Sequence, residues 1–206
     1  MDEKPLRRKK REPTYEDWDK LHRENYKRDL LNPHKWKEKG DVLLEVSIKM
    51  EPEVVDFWET WRKHLKDDTV RLKGEKYSGI YFMLVSYAIE NYFKAIIVRI
   101  SKKEFETFLN SADNPKFPSL LKTHKLVKLA QKAGFPIKDQ LQEELLRRLS
   151  RSAVWYGRYP VSTDYKTSGK DIFRDGKEYD ISLFREIDVN QVKVLIEEIK
   201  EFGNFK

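Results

Sequence analysis

Glu90 and Lys94 stand four residues apart inside a long apolar stretch, Tyr77 to Arg99 (YSGIYFMLVSYAIENYFKAIIVR). From Tyr77 through Ile89 that stretch carries no charge. On a helix, positions i and i+4 share a face, and a helix that is apolar nearly all round is buried in a bundle. The spacing therefore predicts a carboxylate and an ammonium held together inside the protein or at the edge of a cleft. Two readings of the pair are open: a structural ion pair that fixes helix register, or part of a polar site between helices. His124, Arg158 and Tyr159 are the candidates to complete such a site. Arg and Lys hold phosphate, a Tyr ring stacks on a base, and His donates a hydrogen bond or carries a proton. The same residues also have a purely structural use. Arg158 and Tyr159 can pin the loop after a long helix through a salt bridge to Glu90, and His124 can cap its own helical region.

The elements that must position these residues can be read along the chain. Thr14 followed by Asp17 has the form of a helix start, and Tyr15, Trp18, Leu21 and Tyr26 recur at loosely helical spacing until Asn32-Pro33 stops the element. Residues 34–40 read as a basic linker ending in Gly40. Leu44, Val46, Ile48 and Met50 alternate with polar residues, which predicts a short strand or extended segment. Pro52 suits the first turn of a helix with Val54, Trp58, Trp61 and Leu65 on one face, ending at Lys73-Gly74 before the central helix. A short helical piece then carries Phe105, Phe108 and Leu109, and Asn114 to Pro118 form a loop. Ser119 is a candidate cap for a helix with Leu120, Leu121, Leu126, Val127 and Leu129 inward, stopped at Gly134 and Pro136. The next helix runs from about Asp139 to Trp155 with Leu141, Leu145, Leu149 and Ala153 as its stripe. Arg147, Arg148 and Arg151 fall on its outer face, where solvation is expected. Residues 160–187 are irregular, with a hairpin turn signal at Asp175-Gly176 between Ile172-Phe173 and Tyr179. Asp188, with Gln191 three later, reads as the cap of a last helix that buries Val192, Leu195, Ile196 and Ile199 and closes at Gly203.

The fold class this predicts is all-α, an antiparallel up-and-down helical bundle with a small β-hairpin insert. The organisation expected is a disordered basic arm at 1–13, an N-terminal extension at 14–50, and a helical domain at 51–206 with an insert at 161–187. The length of 206 residues suits one domain with appendages. Charged residues make up 37%, and the formal net charge is +7, so the surface is heavily solvated and mildly basic. Six basic side chains lie between Lys4 and Arg11; that arm reads as a solubilising tail or as a phosphate contact with salt-dependent binding. The absence of cysteine removes disulfides, thiol catalysis and cysteine zinc sites, and fits an intracellular, cytoplasmic protein. No stretch reaches the ~18 apolar residues of a membrane span, so no membrane association is expected. There is no glycine-rich phosphate loop, and His22, His34, His64 and His124 lie too far apart in sequence to suggest a metal site. No cofactor is expected.

Three segments carry a family resemblance. Ala88-Ile89-Glu90-Asn91-Tyr92-Phe93-Lys94-Ala95 resembles the second-helix signature of HEPN domains, the higher-eukaryote and prokaryote nucleotide-binding family. Thr123-His124-Lys125-Leu126-Val127-Lys128-Leu129 is similar to that family's next helix start. Tyr156-Gly157-Arg158-Tyr159-Pro160 resembles the aromatic-x-Arg-Tyr-Pro ending of one large branch. Their order and spacing fit over about residues 53–160. The resemblance implies an antiparallel helical bundle that commonly forms a homodimer. It also implies two functional traditions. Some members are metal-independent ribonucleases, often toxins or defence effectors, with an arginine followed four to six residues later by a histidine on one helix. Others lack that motif and act as nucleotide- or RNA-binding modules, or as partners of minimal nucleotidyltransferases.

No histidine follows Arg147, Arg148, Arg151 or Arg158 at that spacing. The formal match from Arg28 to His34 lies outside the bundle and contains Pro33, which disrupts a helix interior. The function expected is therefore a nucleotide- or RNA-binding module without ribonuclease activity. Its candidate ligand-binding residues are Glu90, Lys94, His124, Arg158 and Tyr159. The alternatives are a ribonuclease built on His124 and Arg158, and an interaction subunit that pairs with a nucleotidyltransferase.

Overall fold

The computed structural model of the chain describes residues 14–71, 75–111, 116–156, 170–172, 178–180 and 184–205. Helix α1 (Tyr15–Leu30) begins where the sequence places it. Thr14 and Asp17 form a reciprocal capping box, with the Thr14 amide donating to Asp17 Oδ2 at 2.8 Å. Asn32 then caps α2 (Pro33–His64), its side-chain oxygen accepting from the His34 amide at 3.0 Å, with Pro33 at the first helical position. Pro33 is thus a helix opener, where its missing N–H is needed least. The helices that follow are α3 (Glu75–Ile100), α4 (Lys102–Asn110), α5 (Leu126–Ala133), α6 (Gln140–Arg151) and α7 (Glu186–Phe202). A π-helical turn, Ser152–Tyr156, continues α6.

The long helices form a helical bundle, and side-chain contacts fix their directions. Tyr92 meets Asp41 and Tyr81 shares a cleft with Glu51, so α2 and α3 run antiparallel. Phe184, just ahead of α7, stacks on Phe82 at 3.6 Å between ring centres, and Arg99 donates to the Gly203 carbonyl at 2.6 Å. Those two contacts lay α7 parallel to α3. Lys138 with Glu198 and Arg148 with Asp188 set α6 antiparallel to α7. Helix α3 is the buried centre: Phe82, Val85, Ile89, Tyr92, Phe93 and Ile96 are at most 1% exposed. Burying large apolar side chains contributes roughly 1.5–3 kcal/mol each, so this helix carries the largest share of the core.

The region 34–50 differs most from the sequence expectation. There is no linker and no strand; α2 runs unbroken through it, and a boundary after residue 50 falls inside that helix. The apolar alternation of Leu44, Val46, Ile48 and Met50 is incidental, since Val46 and Ile48 are exposed. The face that meets α3 carries Gly40, Ser47 and Val54, all buried and seven residues apart, the spacing of a helix–helix seam. Gly40 is needed at its position: a Cβ there would stand 2.8 Å from a Tyr92 ring carbon. Pro52 lies within α2 and does not start it. The missing hydrogen bond costs about 3 kcal/mol in a helix interior; α2 stays helical because residues on both sides of Pro52 are packed on the core.

Smaller differences have similar causes. Ser119–Leu121 form a 3-10 turn, and α5 starts only at Leu126, so Ser119 is not its cap. Gly134 does end α5, in the left-handed region at φ 73°, a conformation glycine adopts without steric cost. Asp139 caps α6, accepting from the Gln142 amide at 2.8 Å. Of its expected stripe, Leu145, Leu149 and Ala153 are buried while Leu141 is exposed. Helix α7 starts at Glu186, ahead of the expected cap, and Asp188 sits buried in its first turn. Among the described residues two three-residue strands, β1 (Lys170–Ile172) and β2 (Glu178–Asp180), pair antiparallel with Asp171 opposite Tyr179. The Asp175-Gly176 turn signal, the arm at 1–13, Lys73-Gly74 and Asn114-Pro115 lie outside the described residues.

Candidate functional site

Three of the five sequence candidates meet. Glu90 and Lys94 project from one face of α3 and are each only 5% exposed. Lys94 Nζ donates to Glu90 Oε1 at 2.6 Å, and the other carboxylate oxygen, Oε2, lies 2.8 Å from His124 Nδ1. His124 comes from the extended segment before α5, and its side chain is 51% exposed. A carboxylate only accepts hydrogen bonds, so Nδ1 carries the hydrogen. Nε2 has no partner among the described residues. The result is a buried ion pair with a half-exposed imidazole clamped to it. In its neutral form that ring presents an acceptor to solvent; protonated, it presents a donor. Arg158 and Tyr159 lie outside the described residues.

The ion pair continues into a second feature that sequence reasoning missed. Lys94 Nζ stands 5.6 Å from the centre of the Trp36 ring, within cation–π range. Trp36 donates its indole N–H to the Leu30 carbonyl at 2.9 Å and packs beside Phe117, with ring centres 6.1 Å apart. These two rings help line an open cleft of about 370 Å³ between α1, α2, α3 and the segment before α5. Its other walls include Tyr26, Asp29, Lys35, Lys39 and Asn91. Lys35 and Lys39 are exposed and make no ion pair among the described residues. Their neighbours are engaged: Lys37 holds Asp41 at 2.9 Å and Arg28 holds Asp29 at 3.0 Å. Burial pushes the Tyr26 phenol above its ordinary range. The signal was present as Lys35-Trp36-Lys37-Glu38-Lys39, two lysines four apart bracketing a tryptophan; it was hidden by the reading of residues 34–40 as a linker.

No protein-family model, curated protein or solved structure matches this chain. What the site can do is therefore argued from its own chemistry. Among the described residues no group of three or more His, Asp or Glu side chains is placed to hold a metal ion, and no helix is long and apolar enough to cross a membrane.

A second buried charge pair corrects the expected solvated face of α6. Arg148 is only 3% exposed and donates to Asp188 Oδ1 at 2.7 Å. Arg185 reaches the same oxygen at 3.4 Å. Burial holds the Arg148 guanidinium below its ordinary range, partly offset by Asp188. Asp188, fully buried, also accepts from the Arg185 amide at 2.8 Å. This network ties the end of α6 to the start of α7. Arg147 is half-buried against Glu143 at 2.8 Å. Arg28 and His34 sit on different helices, α1 and α2, as Pro33 requires.

Proposed function

We propose that this chain is a HEPN-like helical-bundle module that binds a nucleotide or single-stranded RNA in the cleft beside the Glu90–Lys94–His124 cluster. The observation that carries the reading is the convergence of Trp36, Phe117 and Tyr26 around one open cleft with two lysines, Lys35 and Lys39, that make no ion pair among the described residues. Stacking of a base on an aromatic ring contributes about 1–3 kcal/mol and tolerates any base, while lysines supply a sequence-independent attraction to phosphate. A cleft of about 370 Å³ falls at the small end of ligand sites, roughly 300–1,000 Å³, the scale of a mononucleotide unit. The ion pair gives this cleft a fixed floor: Lys94 is locked by Glu90 and in turn supports Trp36. Resemblance to HEPN segments around Glu90 and His124 points to the same class of ligand.

A second reading, metal-independent RNA cleavage, draws on one specific observation. Glu90 holds His124 by Nδ1 and leaves Nε2 at a half-exposed ring, an arrangement suited to accepting a proton. A cleavage step also requires a group to stabilise the charged phosphate, and the helical arginine-to-histidine motif of ribonuclease members is absent from the bundle. Binding without cleavage is therefore the function we assign. The test pairs two assays on single-stranded RNA without added metal. Wild type binds and cuts no more than a trace, and Phe117→Ala weakens binding about 5-fold or more through loss of stacking. Absence of binding sinks the proposal. Cleavage by wild type that His124→Ala abolishes replaces it with the enzyme reading.

A further inference from the structure

The lysines and rings of the cleft are indifferent to which base they hold, but two other walls are not. Asp29, on α1, and Asn91, on α3, line the same cleft. Asp29 uses Oδ1 for Arg28, and no partner holds Oδ2 among the described residues. Asn91 donates one Nδ2 hydrogen to the Tyr87 carbonyl at 2.7 Å, which leaves its Oδ1 as an acceptor beside one further N–H. Both walls therefore offer acceptors. A carboxylate has no hydrogen to give, so a ring edge that meets Asp29 must bring N–H donors.

The bases differ sharply on this point. Guanine presents two adjacent donors on its pairing edge, N1–H and the 2-amino group, which match the two-oxygen fork of a carboxylate. Adenine and cytosine offer an exocyclic amine next to a ring acceptor, which faces the carboxylate with a lone pair. Uracil offers one N–H between two carbonyls. Sequence-specific recognition of single-stranded RNA works by stacking a splayed base and bonding its edges in this way. The lysines at the mouth suit the phosphate that accompanies the base. We infer that the cleft between α1, α2 and α3 selects guanine, with the ring stacked at Trp36 and Phe117, its N1–H and 2-amino group on Asp29, and its phosphate at Lys35 and Lys39. This rests on the nucleotide-binding reading above and adds the identity of the base.

Calorimetric titration with GMP, IMP and AMP tests it. IMP keeps N1–H and lacks the 2-amino group; AMP lacks both donors in that arrangement. GMP binds about tenfold more tightly than AMP, the scale of a hydrogen bond to a charged group in a partly open site, and IMP falls below GMP. Asp29 is half-exposed on α1, so Asp29→Asn folds, and in that variant the GMP-to-AMP ratio falls to about one. GMP and AMP within twofold of each other overturn the inference while leaving nucleotide binding in place. IMP equal to GMP overturns it because the two-donor match is lost. A ratio that survives Asp29→Asn removes Asp29 as the reader. Failure of all three nucleotides to bind overturns this inference, and the assay on single-stranded RNA then decides separately whether the binding reading stands.

Discussion

Replacing Glu90 by alanine isolates the energetics of the cluster. Glu90 and Lys94 are each 5% exposed and joined at 2.6 Å. Removing the carboxylate strands an ammonium beside Trp36 with no counter-charge. Breaking a buried ion pair from one side costs about 3–5 kcal/mol, while replacing both members with apolar residues of similar volume is often neutral or stabilising. Glu90→Ala should therefore lower stability by about 3–5 kcal/mol, a large part of the roughly 5–15 kcal/mol typical of a domain. For a chain of this length each kcal/mol moves the melting temperature by about 2–4 °C, so a drop of about 6–20 °C is expected. His124→Ala removes a partner that is half in solvent and should cost about 1 kcal/mol or less. The double variant Glu90→Leu/Lys94→Met should recover most of the loss. Urea unfolding followed by far-ultraviolet circular dichroism measures all three. A Glu90→Ala variant within 1 kcal/mol of wild type would refute the reasoning, as would a double variant no more stable than Glu90→Ala.

Asp188→Ala should cost about 3 kcal/mol for a similar reason, since it leaves the buried Arg148 with only the longer contact to Glu144 at 3.8 Å; unfolding by urea checks it, and a loss under 1 kcal/mol contradicts the pairing. Alkaline pH should destabilise the fold. Burial, with a smaller contribution from Glu51, raises the Tyr81 phenol above its ordinary range, and burial with Asp41 does the same at Tyr92. A phenol is neutral when protonated, so these groups contribute stability that is fully present below the unfolded value of about 10 and lost as pH rises toward the folded one. Tyr81→Phe should flatten the loss above about pH 10; an unchanged pH profile in that variant removes Tyr81 as its source.

How much of this was legible in the sequence depends on the range of the interaction. The capping signals at Thr14, Asn32 and Asp139 act within three residues, and the first and last fall where the sequence placed them. The buried Glu90–Lys94 pair was legible because both residues sit on one helix within an apolar run. The contact to His124 joins residues 34 apart, and neighbouring resemblances rather than periodicity pointed to it. Residues 34–50 are hard to read because the α2 seam uses small residues, Gly40 and Ser47, which carry no hydrophobic signal, while the alternation of Leu44 and Met50, packed on the core, with the exposed Val46 and Ile48 imitates a strand. Arg148 was misread because a charge was assigned outward by type. Its place three residues after Leu145 and four before Ser152 puts it at the edge of the buried stripe. The Asp188 that receives it is 40 residues away. Trp36, Lys35 and Lys39 became a candidate site only once α1, α3 and Phe117 were seen to close around them.

The most direct test of the central claim is the salt dependence of RNA binding. Fluorescence anisotropy of a labelled single-stranded RNA, titrated across ionic strength, should show binding whose log affinity falls linearly with log salt. Each phosphate contact on a single strand contributes a slope of about −0.7. Changing Lys35 and Lys39 together to alanine should weaken binding and flatten the slope by about 1.4. Wild type that fails to bind, or a double variant with unchanged affinity and slope, would contradict the assignment of this cleft as the binding site.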